Sequence, residues 1–134
     1  HQLEYEISRP LKLKVLKCNV LNSRLHKGYT MPSPCGWLRM IRDANFVITN
    51  SFHGVVFCLI FNTPFLVLLS EGELGSMNNR ITDLLADVRL SERVIGISKP
   101  DKINSLLTDI DWQPANNELI KLHELAANFI TSNV

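Results

Sequence analysis

Residues 46–69, FVITNSFHGVVFCLIFNTPFLVLL, decide the fold. Phe46-Val47-Ile48-Thr49 is a short β-prone run, and Asn50-Ser51 breaks it. From Phe52 to Phe61 nearly every residue is apolar, so periodicity alone does not separate helix from strand. The punctuation favours helix. Ser51 suits an N-cap, and Asn62-Thr63-Pro64 stops the segment before a second apolar run, Phe65 to Leu69. Strand, ten-residue connector and strand fit the length of a parallel crossover. A helix that is apolar all round is buried all round, so it belongs inside a larger sheet assembly.

Working outward, LKLKVLKCNVL at 11–21 alternates apolar and polar through Leu11, Leu13 and Val15 before Leu16 shifts the register. This reads as a strand with one face in a core. Residues 22–32, with Gly28 and Pro32, read as a loop. Ser33-Pro34 opens a helix, with Trp37, Leu38 and Ile41 as its buried side and an end near Asp43. Beyond the decisive stretch, 70–78 reads as a polar loop. Asn79 starts a helical pattern carrying Ile81, Leu84, Leu85 and Val88, and 93–97 is a strand candidate. Ser98 and Pro100 open a helix with Ile103, Leu106 and Leu107. The last helix opens at Asn116 or Asn117 and carries Leu119, Leu122, Ala126, Phe129 and Ile130. Strands alternating with helices predict an α/β protein: an open, Rossmann-like, mostly parallel sheet layered by helices.

At 134 residues the chain is one domain with enough apolar material, 46%, to bury a core without disulfides or metal. Fourteen basic residues against thirteen acidic ones leave a formal charge of +1, which argues against a broad nucleic-acid footprint. Lys12, Lys14 and Lys17 read as a solvated strand face, with an anionic glycan as the alternative partner. Three cysteines, Cys18, Cys35 and Cys58, have no CxxC spacing, so neither a disulfide scaffold nor a zinc site is supported. No cofactor or metal is identified, and a reducing cytoplasmic setting is the simpler expectation. The apolar stretch from Val55 to Leu69 is interrupted at 62–64 and falls short of the about 20 residues a membrane span requires. The first residues carry neither an initiating Met nor a signal-peptide pattern, so the chain reads as a piece of something longer.

In open α/β sheets, ligands bind beyond the carboxyl ends of the strands. That edge receives Asn50, Ser51, His53 and Gly54, which also lie at a helix N-terminus whose backbone N–H groups and dipole favour an anion. Simpler roles stand beside this one. Ser51 serves as a cap, His53 as a histidine bonded to a carbonyl, and Gly54 as the residue that allows close helix–sheet packing. Arg80 reads as the opening of the next helix, where a cation is disfavoured unless a ligand anion compensates it. No GxGxxG, Walker, HExxH or GxSxG pattern occurs.

Residues 37–65, WLRMIRDANFVITNSFHGVVFCLIFNTPF, resemble the C-terminal part of the polysaccharide pyruvyl transferase family. The resemblance lies in a Trp-Leu helix, an Ala-x-Phe-Val strand, Ser-Phe-His-Gly, and a hydrophobic helix ending before Pro-Phe. Asn79-Arg80-Ile81 with Leu84-Leu85, then Leu90 and Arg93, are similar to the same family's arginine–leucine segment. The similarity spans roughly residues 29–110. Members often carry Asp where Asn50 stands. The resemblance implies the C-terminal half of a two-domain, glycosyltransferase-B-like enzyme. Such an enzyme moves the enolpyruvyl group of phosphoenolpyruvate onto a sugar or lipid-linked glycan as a pyruvate ketal, in cell-surface or exopolysaccharide biosynthesis. It would work in the cytoplasm or at the inner face of the membrane, with its N-terminal domain as a further partner. On this reading His53 is the candidate catalytic acid and donor contact, Arg80 the anion clamp, and Ser51, Gly54 and Asn50 complete the substrate cradle.

Two other readings remain open. A nucleotide-sugar glycosyltransferase or epimerase on the same architecture would use Glu71 or Glu73 on the ribose. A non-catalytic binding module is the other.

Overall fold

The computed structural model describes residues 12, 14–18, 29–30, 32–69, 75–96, 107 and 109–132. Its centre is a three-stranded parallel sheet of β3 (Val47–Thr49), β4 (Phe65–Leu69) and β5 (Val94–Gly96), in the order β3-β4-β5. Val47 pairs with Phe65 and Thr49 with Val67, while Val67 and Leu69 face Val94 and Gly96 on the other side. A central parallel strand is covered on both faces, which explains the unbroken apolar run in its sequence. Phe65, Leu66 and Val67 have no exposed surface. Phe65 and Val67 belong to the main core, and Leu66 packs with Ile95, Phe46, Ile48, Leu68 and Leu107 in a smaller cluster. This is the open, Rossmann-like α/β sheet that the alternation of elements implied.

Helix α1 (Pro34–Arg42) begins where sequence places it. Ser33 is extended and its Oγ accepts the Gly36 N–H at 3.2 Å, with Pro34 at the first helical position, where no N–H is needed. Arg39 and Arg42 occupy the last turn, where cations favour the carbonyl end of the dipole. Helix α2 (Phe52–Phe61) packs against α1, with Trp37 edge-on to Phe57 at 5.7 Å between centroids. It stops at Asn62, which adopts the left-handed conformation (φ 54°, ψ 38°) that an asparagine tolerates better than most residues. The next residue, Thr63, is buried. Its N–H donates to Cys58 O at 2.9 Å and its Oγ1–H to Ile41 O at 3.0 Å, tying the end of α1 to the turn between α2 and β4.

Helix α3 (Gly75–Asp87) starts four residues earlier than the apolar pattern indicates, so Arg80 lies in its second turn and does not open it. Gly75, Ser76 and Asn78 in its first turn read as loop, so Met77, four positions before Ile81, was not joined to the stripe of Ile81, Leu85 and Val88, all fully buried. After α3, a 3-10 turn (Ser91–Arg93) leads into β5. Arg93 is buried at the amino end of β5, with Glu92 Oε1 3.5 Å from its Nε.

Helix α4 (Trp112–Ser132) also begins early, because Asp111 accepts the Gln113 N–H at 3.2 Å and Pro114 falls within the first turn, where a missing N–H costs nothing. Its apolar stripe divides. Ala115 is buried and Leu119 and Leu122 pack on the core, whereas Ala126, Phe129 and Ile130 are exposed, contrary to the core face expected of them.

In the first third, the expected strand over 11–21 is reduced among the described residues to β1 (Lys17–Cys18). It pairs in parallel with β2 (Tyr29–Thr30), inside the stretch expected to be loop. Val15 and Leu16 are exposed, so no core face runs through Val15. The loop at 70–74 and the helix expected from Ser98 lie outside the described residues, apart from Leu107.

Candidate functional site

The site is built where β3 hands over to α2. Ser51, extended at φ −96° and ψ 130°, caps α2 by accepting the Gly54 N–H on Oγ at 3.4 Å. The Ser51 N–H in turn donates to Thr49 Oγ1 at 3.1 Å, so the last residue of the strand holds the cap. Gly54 is buried against that same threonine. A Cβ there would run into Thr49 Oγ1 and lie 3.2 Å from Thr49 Cβ and 3.3 Å from Cγ2. The missing side chain lets the helix rest directly on the strand, and the Gly54 N–H is engaged by the cap. The first helical residues, Phe52 and His53, carry the N–H groups to which helix geometry gives no acceptor.

Phe52 and His53 diverge. Phe52 is half-buried and packs on the main core, while His53 is exposed. Their rings meet edge to face, 6.0 Å between centroids and 82° between planes. From α3, the exposed Arg80 lays its guanidinium over the Phe52 ring, Cζ 4.4 Å from the centroid, a cation–π distance. Imidazole and guanidinium therefore border a single aromatic ring at the carboxyl end of the sheet, although 27 positions separate them in sequence. Asn50 is exposed in the same strand-to-helix turn. Of the residues expected here, His53 and Arg80 each contact the Phe52 ring, Asn50 lies exposed in the turn that leads to it, and Ser51 and Gly54 form the cap of α2.

Two contributors escaped the sequence reading. Thr49 looked like the last residue of a strand, yet its hydroxyl organises the cap. Phe52 looked like one more apolar helix residue, yet its ring touches both basic groups. An aromatic residue directly after a capping serine was the available signal, but it had no partner until Arg80 was placed.

The chemistry available is that of two nitrogen bases beside the positive end of a helix dipole, suited to an anionic group. Among the described residues no cluster of His, Cys, Asp and Glu could hold a metal ion. The three cysteines are free. Burial pushes the Cys58 thiol up to about 12, and burial raises that of Cys18 as well, so neither is a ready nucleophile. An open cavity of about 500 Å³ at the start of α4 is lined by Arg89, Asp111, Gln113 and Glu118, among others, and by none of the site residues. Its charges answer one another: Glu118 accepts from Arg89 at 2.8 Å and from Lys121 at 3.1 Å. Glu71 and Glu73, the ribose ligands of the nucleotide-sugar reading, lie outside the described residues.

The fold is that of a Rossmann-like α/β protein, and His53 and Arg80 lie beyond the carboxyl ends of its parallel strands. The model of the polysaccharide pyruvyl transferase family matches residues 2–71, just over half of the chain, and the chain belongs to that family, a family of transferases. The match begins well before the stretch in which the resemblance was read. It takes in Asn50, Ser51, His53 and Gly54 and ends before Arg80. No curated protein and no solved structure matches. Among the described residues no helix is long and apolar enough to cross a membrane.

Proposed function

We propose that this chain is the C-terminal half of a two-domain, glycosyltransferase-B-like pyruvyl transferase, and that it binds phosphoenolpyruvate at the His53–Arg80 edge. The product is a pyruvate ketal on a sugar or lipid-linked glycan, made in the cytoplasm or at the inner membrane face for a cell-surface polysaccharide. The observation that carries the reading is the meeting of His53 and Arg80 at one ring, within a chain of this family.

The reaction requires the donor's methylene carbon to take a proton, so that its π electrons form the new C–H bond and positive character builds at the adjacent carbon. Two sugar hydroxyls then add to that carbon while the C–O bond to phosphate breaks and phosphate departs with the bonding pair; one hydroxyl proton replaces the one given by the acid and the other leaves on the phosphate. His53 is the proton donor on this reading. An imidazolium beside a multiply charged anion is suited to pass a proton to carbon. Arg80 is the clamp, its planar fork matching phosphate or carboxylate. The N–H groups of Phe52 and His53 add dipolar support. Ser51 and Gly54 fix the turn that aims them, and Asn50 shapes its approach.

Phosphate release from phosphoenolpyruvate by the full-length protein, with a panel of glycan acceptors, tests the reading. Replacing His53 with Ala should slow acceptor-dependent release at least about a hundredfold, the usual scale of general acid catalysis. Turnover near that of the parent would remove His53 from the mechanism, and no release with any acceptor would favour a non-catalytic module.

A further inference from the structure

We infer that Phe52 is the positioning residue of this site, holding the Arg80 guanidinium and the His53 imidazole in one arrangement before a ligand arrives; the inference rests on the function proposed above. The all-round burial expected of α2 does not hold, since Ile60 as well as His53 is exposed, and a phenylalanine at its first position could satisfy packing without touching either Arg80 or His53. Here its ring does both, with the guanidinium carbon 4.4 Å from its centroid and the imidazole edge-on at 6.0 Å. Contact with the ring through Cζ leaves the guanidinium N–H donors that do not face the ring available to the two oxygens of a carboxylate or phosphate. An exposed arginine otherwise samples many rotamers and loses that freedom on binding. Contact with the ring removes part of that cost in advance.

The mounting is stiff. Phe52 follows the Ser51 cap, which is fixed by Thr49 Oγ1, and the helix rests on β3 through Gly54. Arg80 immediately precedes Ile81, which is fully buried, so its backbone is anchored while its side chain crosses to the ring. The ring thus couples α3 to the start of α2 at the one place where both present a base.

The test compares Phe52→Leu, which keeps a bulky apolar side chain but no π face, with Phe52→Trp and Phe52→Tyr, which keep the face. Two readouts are taken on the full-length protein, with thermal melts to establish that each variant is folded. The first needs no ligand: the Arg80 side-chain signals in a ¹H–¹⁵N spectrum should show an upfield ring-current shift, lost in Phe52→Leu and kept in both aromatic variants. The second is the phosphoenolpyruvate dissociation constant by calorimetry. It should rise about two- to fivefold in Phe52→Leu, the equivalent of an exposed cation–π contact, and return to within about twofold of the parent in the aromatic variants. In an Arg80→Ala background, Phe52→Leu should add nothing further. A parent protein without the ring-current shift overturns the inference, as does a folded Phe52→Leu protein of unchanged affinity. A parent that shows the shift but does not bind phosphoenolpyruvate overturns the proposed donor instead, and leaves Phe52 as the residue that holds Arg80.

Discussion

Gly54→Ala gives a test in which two physical effects have opposite signs. In an exposed helix, replacing glycine with alanine stabilises by about 1 kcal/mol, because glycine loses more backbone freedom on folding. At Gly54 the added Cβ runs into Thr49 Oγ1, with Thr49 Cβ at 3.2 Å and Cγ2 at 3.3 Å. The threonine has no easy retreat. It is β-branched, hence stiff about χ1, and its Oγ1 already accepts the Ser51 N–H at 3.1 Å. Turning the side chain away breaks a bond worth roughly 1 kcal/mol, and moving the helix off the strand opens the contact beneath Val55 and Cys58, which have no exposed surface. Overpacking costs about 1–3 kcal/mol, and the collision with Oγ1 puts this site in the upper part of that range, about 2–3 kcal/mol, so after the propensity gain the variant should lose about 1–2 kcal/mol. In urea, with a slope of about 1–3 kcal/mol per molar, the midpoint should fall by roughly half to one molar. Thr49→Ala removes Oγ1 and Cγ2 and leaves only Cβ near the new methyl, so the double variant should be more stable than the two single effects predict. A Gly54→Ala protein as stable as the parent, or more stable, would refute the claim that α2 is seated on β3 through this glycine.

The rest of the architecture offers shorter tests. Thr63→Val keeps the shape but removes the hydroxyl that donates to Ile41 O at 3.0 Å in a buried setting; it should cost about 1–3 kcal/mol by thermal melt, and no loss would mean that the tie between α1 and the turn before β4 is inert. Cys58 retains its proton up to about 12 while an unfolded thiol loses it near about 8.5, so its contribution is intact below the lower value. Above that pH, stability should decline by about 1.4 kcal/mol per unit until the upper value is reached. Cys58→Ala should flatten that alkaline decline, measured as urea midpoints from pH 8 to 11, and a slope identical to the parent's would contradict the burial of the thiol. At pH 8 a thiol reagent should label the exposed Cys35 rapidly and spare Cys58 until the protein unfolds.

What could be read in advance follows how local each cause was. The β3–α2–β4 unit was legible because its boundaries are written in short-range chemistry: Ser51 caps, Asn62 takes a left-handed turn, and Pro64 cannot continue a helix. The early starts of α3 and α4 were not legible because Gly75, Ser76 and Asn78 read as loop and Pro114 reads as a break, although Met77, Trp112 and Ala115 already stand at helical spacing with the stripes that follow. The exposed end of α4 was hidden for the opposite reason. Ala126, Phe129 and Ile130 continue the stripe of Leu119 and Leu122, and spacing does not say where the body of the protein ends. At the site, His53 and Arg80 could be nominated by residue type and position. Phe52 could not be, because within a uniformly apolar helix only the placement of a distant α3 distinguishes it from Phe57 or Phe61.

The central claim is that two bases meeting at one ring receive a small polyanion. Calorimetric titration of phosphoenolpyruvate into the full-length protein, with and without Arg80→Ala, tests it most directly. Binding should weaken by at least about tenfold in the variant, the scale of losing a charge-assisted pair. Equal affinity in parent and variant would contradict it.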